Sequence, residues 1–196
     1  MDYLDQPFFE RPPDEVARDL VGGFLTVRSG DETVTVRLVE TEAYGGSEDA
    51  ASHAFRGRTA RNGTMFGPPG RLYVYRIYGI HWCANVVTLE VNQASAVLLR
   101  AAEFVASTSE LAQLRAPASM RGPGNLTRAL GITGDDDGRD CCEAGARITL
   151  RSTAGTRRAV ARSARIGLTK EAERMSRYYL VDNDAVTKVA RALSSG

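Results

Sequence analysis

The alternation of apolar and polar side chains divides the chain into short segments of two kinds. Val16, Leu20 and Val21 fall at helical spacing behind Pro12-Pro13-Asp14, and Gly22-Gly23 follows them. This predicts a short helix opened by proline and stopped by glycine. Residues 24–28 read as a short strand, and residues 33–43 alternate with period two. In a regular strand Val34, Val36 and Leu38 share a face with Glu40 and Glu42, while Thr33, Thr35, Arg37 and Thr41 take the other. Carboxylates do not extend an apolar face without a partner or a chemical role.

Residues 45–70 are rich in Gly, Pro and Arg and show little periodicity. A loop this long inside a small domain is functional or disordered, and His53, Phe55, Met65 and Phe66 argue against disorder. Residues 71–88 predict a hairpin. Its arms are Arg71–Ile77 and Trp82–Thr88, with Tyr78-Gly79-Ile80-His81 at the turn. Residues 94–101 form another apolar strand, carrying Arg100 near its end. Helical patterns follow near 103–115 and 125–131, strands near 146–151 and 159–166, a helix near 169–176, and a short final segment. There is no internal repeat, and Asp135-Asp136-Asp137 is too short to separate domains. The expectation is one α+β domain over residues 1–196 with an antiparallel sheet.

Composition narrows the class. The 196 residues are 43% hydrophobic and 25% charged, as in ordinary globular proteins. No apolar run approaches the roughly 20 residues of a membrane helix. The segment Met1-Asp2-Tyr3-Leu4-Asp5 lacks the pattern of a signal peptide, so a cytosolic, non-membrane protein is expected. The three cysteines, Cys83, Cys141 and Cys142, and only two histidines lack zinc-site spacing and suggest reduced, structural thiols. Phosphate-loop, dinucleotide, HExxH and GxSxG patterns are missing, and Asp135-Asp136-Asp137-Gly138 lacks calcium-loop spacing. No cofactor and no metal are expected.

The net charge of +1 conceals a segregation. Residues 1–50 hold twelve acids and four bases. Residues 50–89 hold no acid but carry Arg56, Arg58, Arg61, Arg71 and Arg76. Residues 147–177 hold nine bases against Glu171 and Glu173. This suggests one face for an anionic polymer, although basic segments are more often simply solvated surface.

Several residues could carry chemistry. Glu42 on a partly dry strand face could activate a water or stabilise a developing cation, or could merely pair with an arginine. Tyr73, Tyr75 and Tyr78 lie among arginines, which suits base stacking but also suits ordinary core packing. At a turn, Tyr78 has little core to enter, and an exposed aromatic there could act as a wedge between base pairs. His53 by itself reads as a surface histidine. Arg100 shares the parity of Ala96 and Leu98 and needs an anionic partner, either a Glu42-like carboxylate or a phosphate. On these residues alone, three readings stay open. They are a nucleic-acid-processing enzyme, a non-catalytic nucleic-acid-binding module, and a small-molecule hydrolase using Glu42 and His53.

The order of motifs along the chain is more specific. Val39-Glu40-Thr41-Glu42-Ala43-Tyr44 is followed by His53, Arg61-Asn62, Met65-Phe66 and Pro69-Gly70. Then come Leu72-Tyr73-Val74-Tyr75, Ile77-Tyr78-Gly79, Asn85, Val97-Leu98-Leu99-Arg100-Ala101, Gly122-Pro123-Gly124 with Leu126, and Ala129-Leu130-Gly131-Ile132. This series resembles the alkyladenine (3-methyladenine) DNA glycosylase family over nearly the whole chain. The C-terminal 174–180 segment resembles the family only loosely.

The resemblance implies a mixed α/β domain with a curved antiparallel sheet, flanking helices and a protruding hairpin that enters the DNA minor groove. It implies release of alkylated or deaminated purines from double-stranded DNA, without strand cleavage, by a monomer needing no protein partner. The cytosol and nucleoid, or a nucleus in a eukaryote, would be its place. By the same resemblance, Glu42 activates the attacking water, and Arg100 helps to orient that carboxylate and the flipped nucleotide. Tyr44, His53 and Tyr75 wall the flipped base, and Asn85 disfavours the exocyclic amine of guanine. Tyr78 fills the vacated place in the duplex. Arg58, Arg61 and Met65 lie on the loop that meets DNA.

Overall fold

A computed structural model describes residues 2–108, 119–153 and 159–188. Two short helices come first, α1 (Gln6–Phe9) and α2 (Pro13–Leu20), then β1 (Phe24–Ser29) and β2 (Glu32–Tyr44). The 45–70 loop holds one 3₁₀ turn, Gly63–Phe66. Next are β3 (Leu72–Ile77), β4 (His81–Thr88), β5 (Ser95–Ser107), β6 (Met120–Arg121) and α3 (Pro123–Leu130). After a second 3₁₀ turn, Gly134–Asp136, come β7 (Ile148–Arg151), β8 (Val160–Ser163) and β9 (Arg177–Leu180). All strand pairs are antiparallel, and the main path runs β3-β4-β5-β2-β1-β7, with β9 added to β2 and β8 to β9. The architecture is the expected α+β domain with a curled antiparallel sheet.

One face of this sheet is covered by α2 and α3. Val16, Ala17 and Leu20 of α2 and Leu126 and Leu130 of α3 join Val36, Leu38, Val97 and Leu99 of the central strands in one core. Full burial of each valine or leucine side chain among them contributes roughly 1.5–3 kcal/mol. Pro13 opens α2, where its missing N–H is not needed. Gly131, left-handed at φ 62°, ends α3.

The opposite face is set by two irregularities. Leu38 pairs with Ala102, Glu40 with Ala101, Thr41 with Leu99 and Glu42 with Leu98, so Val39 and then Arg100 are extra residues. Each is a bulge, and the first reverses the side-chain parity of β2. Val36, Leu38 and Val39 all stay in the helix-covered core. Thr41 also faces the helix, its Oγ1 donating to the Ala17 carbonyl at 2.8 Å. Glu40 and Glu42 therefore do not extend the face of Val34, Val36 and Leu38, as a regular strand requires. They point to the opposite face.

Three other segments depart from the pattern. Residues 103–107 continue β5, because pairing of Glu103 and Phe104 with Arg37 and Val36 overrides a helical periodicity; residues 109–115 of that expected helix lie outside the described residues. Residues 169–176 form turns instead of a helix. Ala172 and Met175 find nothing to bury against, and a lone two-turn helix is not self-supporting. Residues 177–180, read only as part of a final segment, become β9 because β2 and β8 offer partners on both sides.

Candidate active site

A single transverse row of register partners crosses the uncovered face. Tyr73 on β3 faces Asn85 on β4, Asn85 faces Leu98 on β5, Leu98 faces Glu42 on β2, and Glu42 faces Arg177 on β9. Directly opposed residues of antiparallel strands point the same way. Two positions along their strands, Tyr75 opposes Cys83 and Tyr44 opposes Ala96, adding rings to the same face. Residues distant in sequence thus meet because the register aligns them.

These residues enclose a cleft of about 390 Å³. Tyr44, His53, Tyr73 and Tyr75 supply rings to its lining, and Arg100, Asn85, Met65 and the 166–168 segment complete it. Tyr73 and Tyr75 stack with centroids 5.5 Å apart at 29°. The His53 ring stands edge-on to Tyr75 at 4.4 Å and shares a 3.0 Å hydrogen bond between Nδ1 and the Tyr73 hydroxyl. Burial pushes the phenols of Tyr44 and Tyr75 up and that of Tyr73 up to about 12. Desolvation in the wall, with Arg61 nearby, holds His53 below its ordinary value. All four rings are consequently uncharged near neutral pH.

Glu42 lies directly behind this lining and is 0% exposed. Its Oε1 accepts from the Ile166 N–H at 2.8 Å. Its Oε2 accepts from the Tyr44 hydroxyl at 2.9 Å and from Arg100 Nη1 at 3.3 Å. A carboxylate offers about four acceptor positions, so these three bonds leave one, on Oε1. Tyr44, Arg100 and Ile166 all line the cleft, so the carboxylate is one side chain away from its contents.

The charges beneath the cleft balance. Glu40, Glu42 and Asp49 are buried with Arg100, Arg165 and Arg177. Glu40 Oε1 accepts from Arg100 Nε at 3.0 Å and from Arg177 Nε at 2.6 Å, and its Oε2 accepts from the Thr187 N–H at 2.8 Å. Arg165 grips Asp49 with Nη1 at 2.6 Å and Nη2 at 2.9 Å. Buried charges persist only when matched and hydrogen-bonded in this way.

At the mouth, Tyr78 is 86% exposed, the highest value among the large apolar side chains of the described residues. It occupies the first of two left-handed positions, φ 52° and then 68° at Gly79, and the Ile80 N–H donates to the Ile77 carbonyl at 3.0 Å. Positive φ at both central positions marks the tight hairpin turn whose twist suits the flanking strands. Arg58 and Arg61 are exposed on the adjoining loop, Arg58 lying 5.8 Å from the Phe66 ring and Arg61 5.8 Å from the Tyr75 ring. Met65, expected with Arg58 where this loop meets DNA, is 3% exposed and packs with Tyr73, Val87 and Ala96 instead of standing free for such a contact. Gly63–Phe66 turns back as a 3₁₀ helix and carries the thioether inward.

The sequence pattern missed Asp49, Arg165, Ile166 and Arg177, while the partner it required for Glu40 is supplied by Arg100 and Arg177. Arg165 and Arg177 belong to the basic 147–177 segment, read above as a face for an anionic polymer. Their side chains point inward, and Arg147 and Arg174 also pair with acids, at Asp136 and at Asp14 and Asp49. An arginine two or three residues from apolar positions looks the same in sequence whether it faces solvent or a buried acid.

No described helix is long and apolar enough to cross a membrane. Residues 7–184 match the family model described as Methylpurine-DNA glycosylase (MPG). Among similar proteins, one from Mycolicibacterium fortuitum is 44% identical over 186 residues, covering 90% of this chain and 93% of its own length. One from Koribacter versatilis (strain Ellin345) is 40% identical over 191 residues, covering 94% and 92%. One from the strain DSM 22066 of Methanocella arvoryzae is 44% identical over 150 residues, covering 74% and 75%. All three are named as 3-methyladenine DNA glycosylases.

Proposed function

The chain belongs to the methylpurine-DNA glycosylase family, and from that premise we propose how its side chains release a damaged purine. It is a DNA-repair glycosylase of the 3-methyladenine type, a hydrolase of N-glycosyl bonds. A base inside a duplex is out of reach, so the nucleotide swings out of the stack at a cost of a few kcal/mol, least for a damaged pair. Tyr78, standing free at the hairpin tip, enters the minor groove and fills the gap. Arg58 and Arg61 meet the phosphates beside it. The extruded purine enters the cleft between Tyr44, His53 and Tyr75. A ring-alkylated purine carries positive charge, and each aromatic face favours it by about 0.5–2 kcal/mol. The uncharged state of all the rings matters here, because a charged histidine would repel such a base. Asn85, anchored through Nδ2 to the Tyr73 carbonyl at 3.1 Å, disfavours a purine bearing guanine's exocyclic amine. Met65 shapes the inner wall of the cleft.

Cleavage develops positive charge on the sugar. Glu42 stabilises that charge and takes a proton from the attacking water, using its one free acceptor position on Oε1. Arg100, held from behind by Glu40, fixes the orientation of the carboxylate. The chain's only lysines, Lys170 and Lys188, are not among the residues lining the cleft. The reaction is therefore simple hydrolysis that leaves an abasic site and an intact strand. The observation that carries this reading is a buried carboxylate, oriented by three donors, immediately behind a ring-lined cleft of purine size. A non-catalytic DNA-binding module has no use for that arrangement. The deciding test is Glu42→Gln assayed on duplexes containing a defined alkylated or deaminated purine. Base release disappears while duplex affinity stays within about tenfold; release at the unaltered rate would remove Glu42 from the chemistry.

A further inference from the structure

The Asp49–Arg165 pair touches no part of the cleft's open space, yet its contacts converge on Glu42. Arg165 is 0% exposed along its side chain and forms a two-pronged bond to Asp49. Its Nη1 also donates to the Ala43 carbonyl at 3.0 Å, which lies on β2 between Glu42 and Tyr44. Its guanidinium carbon lies 4.6 Å from the centre of the Tyr44 ring. The next residue, Ile166, donates its backbone N–H to Glu42. Asp49 is anchored in turn by the N–H groups of Gly45 and Ala51 at 2.9 and 3.1 Å, directly after β2. Burial pushes the Asp49 carboxyl up, but the Arg165 fork and these N–H groups outweigh it and hold it below the ordinary carboxylate range.

We propose that Asp49 and Arg165 are positioning residues for base release, locking the 165–168 segment against β2 so that one rigid unit aims both the Glu42 carboxylate and the Tyr44 ring. The physical reason is connectivity. Residue 166 is over 120 positions from Glu42 in the chain and reaches it from a segment with no regular secondary structure. A loop in that position wanders by more than the half-ångström tolerance of a catalytic hydrogen bond unless a fixed fork pins it. A lysine cannot replace this fork, because a point charge has no two-pronged geometry and no flat face for the Tyr44 ring.

The inference rests on Glu42 as the base, and the experiment separates the two. Asp49→Asn and Arg165→Lys are compared with Glu42→Gln and the unaltered enzyme in single-turnover base release at saturating enzyme. Rates are normalised to the active fraction, taken from the amplitude. Duplex affinity is measured on a duplex carrying an uncleavable abasic-site analogue. The expected result is a rate constant lowered at least tenfold in both variants, with affinity within threefold and a double variant no slower than about the worse single one. A purely structural clamp would lower the amplitude and the melting temperature and leave the normalised rate constant unchanged, which overturns the proposal. If Asp49→Asn fails to fold, Arg165→Lys keeps the buried charge and decides the matter. An active Glu42→Gln overturns the reading of Glu42 itself, whereas an inactive Glu42→Gln beside fully active pair variants overturns only the positioning role.

Discussion

The Tyr44 hydroxyl donates to Glu42 Oε2 at 2.9 Å, so the ring that walls the cleft also orients the carboxylate behind it. The two roles can be separated. A hydrogen bond to a charged group contributes about 1.5–3 kcal/mol, and about 1.4 kcal/mol is tenfold in rate. Tyr44→Phe keeps the ring and is expected to slow single-turnover base release by roughly ten- to a hundredfold at little change in lesion-duplex affinity. Tyr44→Ala is expected to lower both. Equal affinity losses in the two variants would show that the hydroxyl, and not the ring, holds the base.

Tyr78 holds a left-handed backbone conformation at φ 52° while its side chain packs against little of the protein. Such a position costs a non-glycine residue about 1–3 kcal/mol, and asparagine ahead of Gly79 is the preferred chemistry for this turn. Tyr78→Asn is therefore expected to raise the melting temperature by about 2–4 °C for each kcal/mol recovered. The same variant should bind a lesion-bearing duplex more weakly while keeping its affinity for single strands. A gain in stability without that selective loss would remove Tyr78 as the wedge.

His53 is held below its ordinary value, about 6.5, first by burial of its ring and then by Arg61. It is neutral at pH 7 and takes up a proton only below its ordinary value. Once protonated, it places a positive charge beside a cationic base. Release of cationic 3-methyladenine relative to neutral hypoxanthine is expected to fall as the pH drops below the ordinary histidine value in the unaltered enzyme. In His53→Gln the ratio should stay flat. NMR titration of the imidazole supplies the independent check, and a midpoint above 6.5 would contradict the assignment.

Asp49 is depressed in the folded protein, so the native state binds its proton less readily than the unfolded chain does. Its contribution to stability is full above the unfolded value of about 3.9 and is lost as pH falls through the lower, folded value. Asp49→Asn should lower stability at pH 7 by about 3–5 kcal/mol, because Arg165 loses its counter-charge inside the protein. Its denaturant midpoint should also vary less with pH below about 5 than that of the unaltered protein. An unchanged acid limb would mean that other carboxylates govern acid unfolding.

Local pattern alone determined much of this protein. Period-two alternation located β2, short apolar runs placed β1 and the first part of β5, proline and glycine bounded α2, and Tyr78-Gly79 announced the β3–β4 hairpin whose tip holds an exposed ring. The ordered motifs pointed to the family, and with it nominated Glu42, Tyr44, His53, Tyr75 and Arg100 as candidate site residues, which the fold gathers around one cleft. These signals are short-range, so one chain segment contains all the information each requires. Tertiary structure decided the rest. The bulge at Val39 reversed the parity of β2 and sent Glu40 and Glu42 away from the helix-covered core; a single inserted residue leaves no mark in a hydrophobic pattern. Pairing with β2 turned residues 103–107 and 177–180 into strands, because partners across a sheet outweigh intrinsic preference. Arg165 and Arg177 became internal counter-charges because the folded chain brings Asp49 and Glu40 to them from more than a hundred residues away. Ion pairing depends on distance in space, and sequence spacing fixes that distance only within a single element.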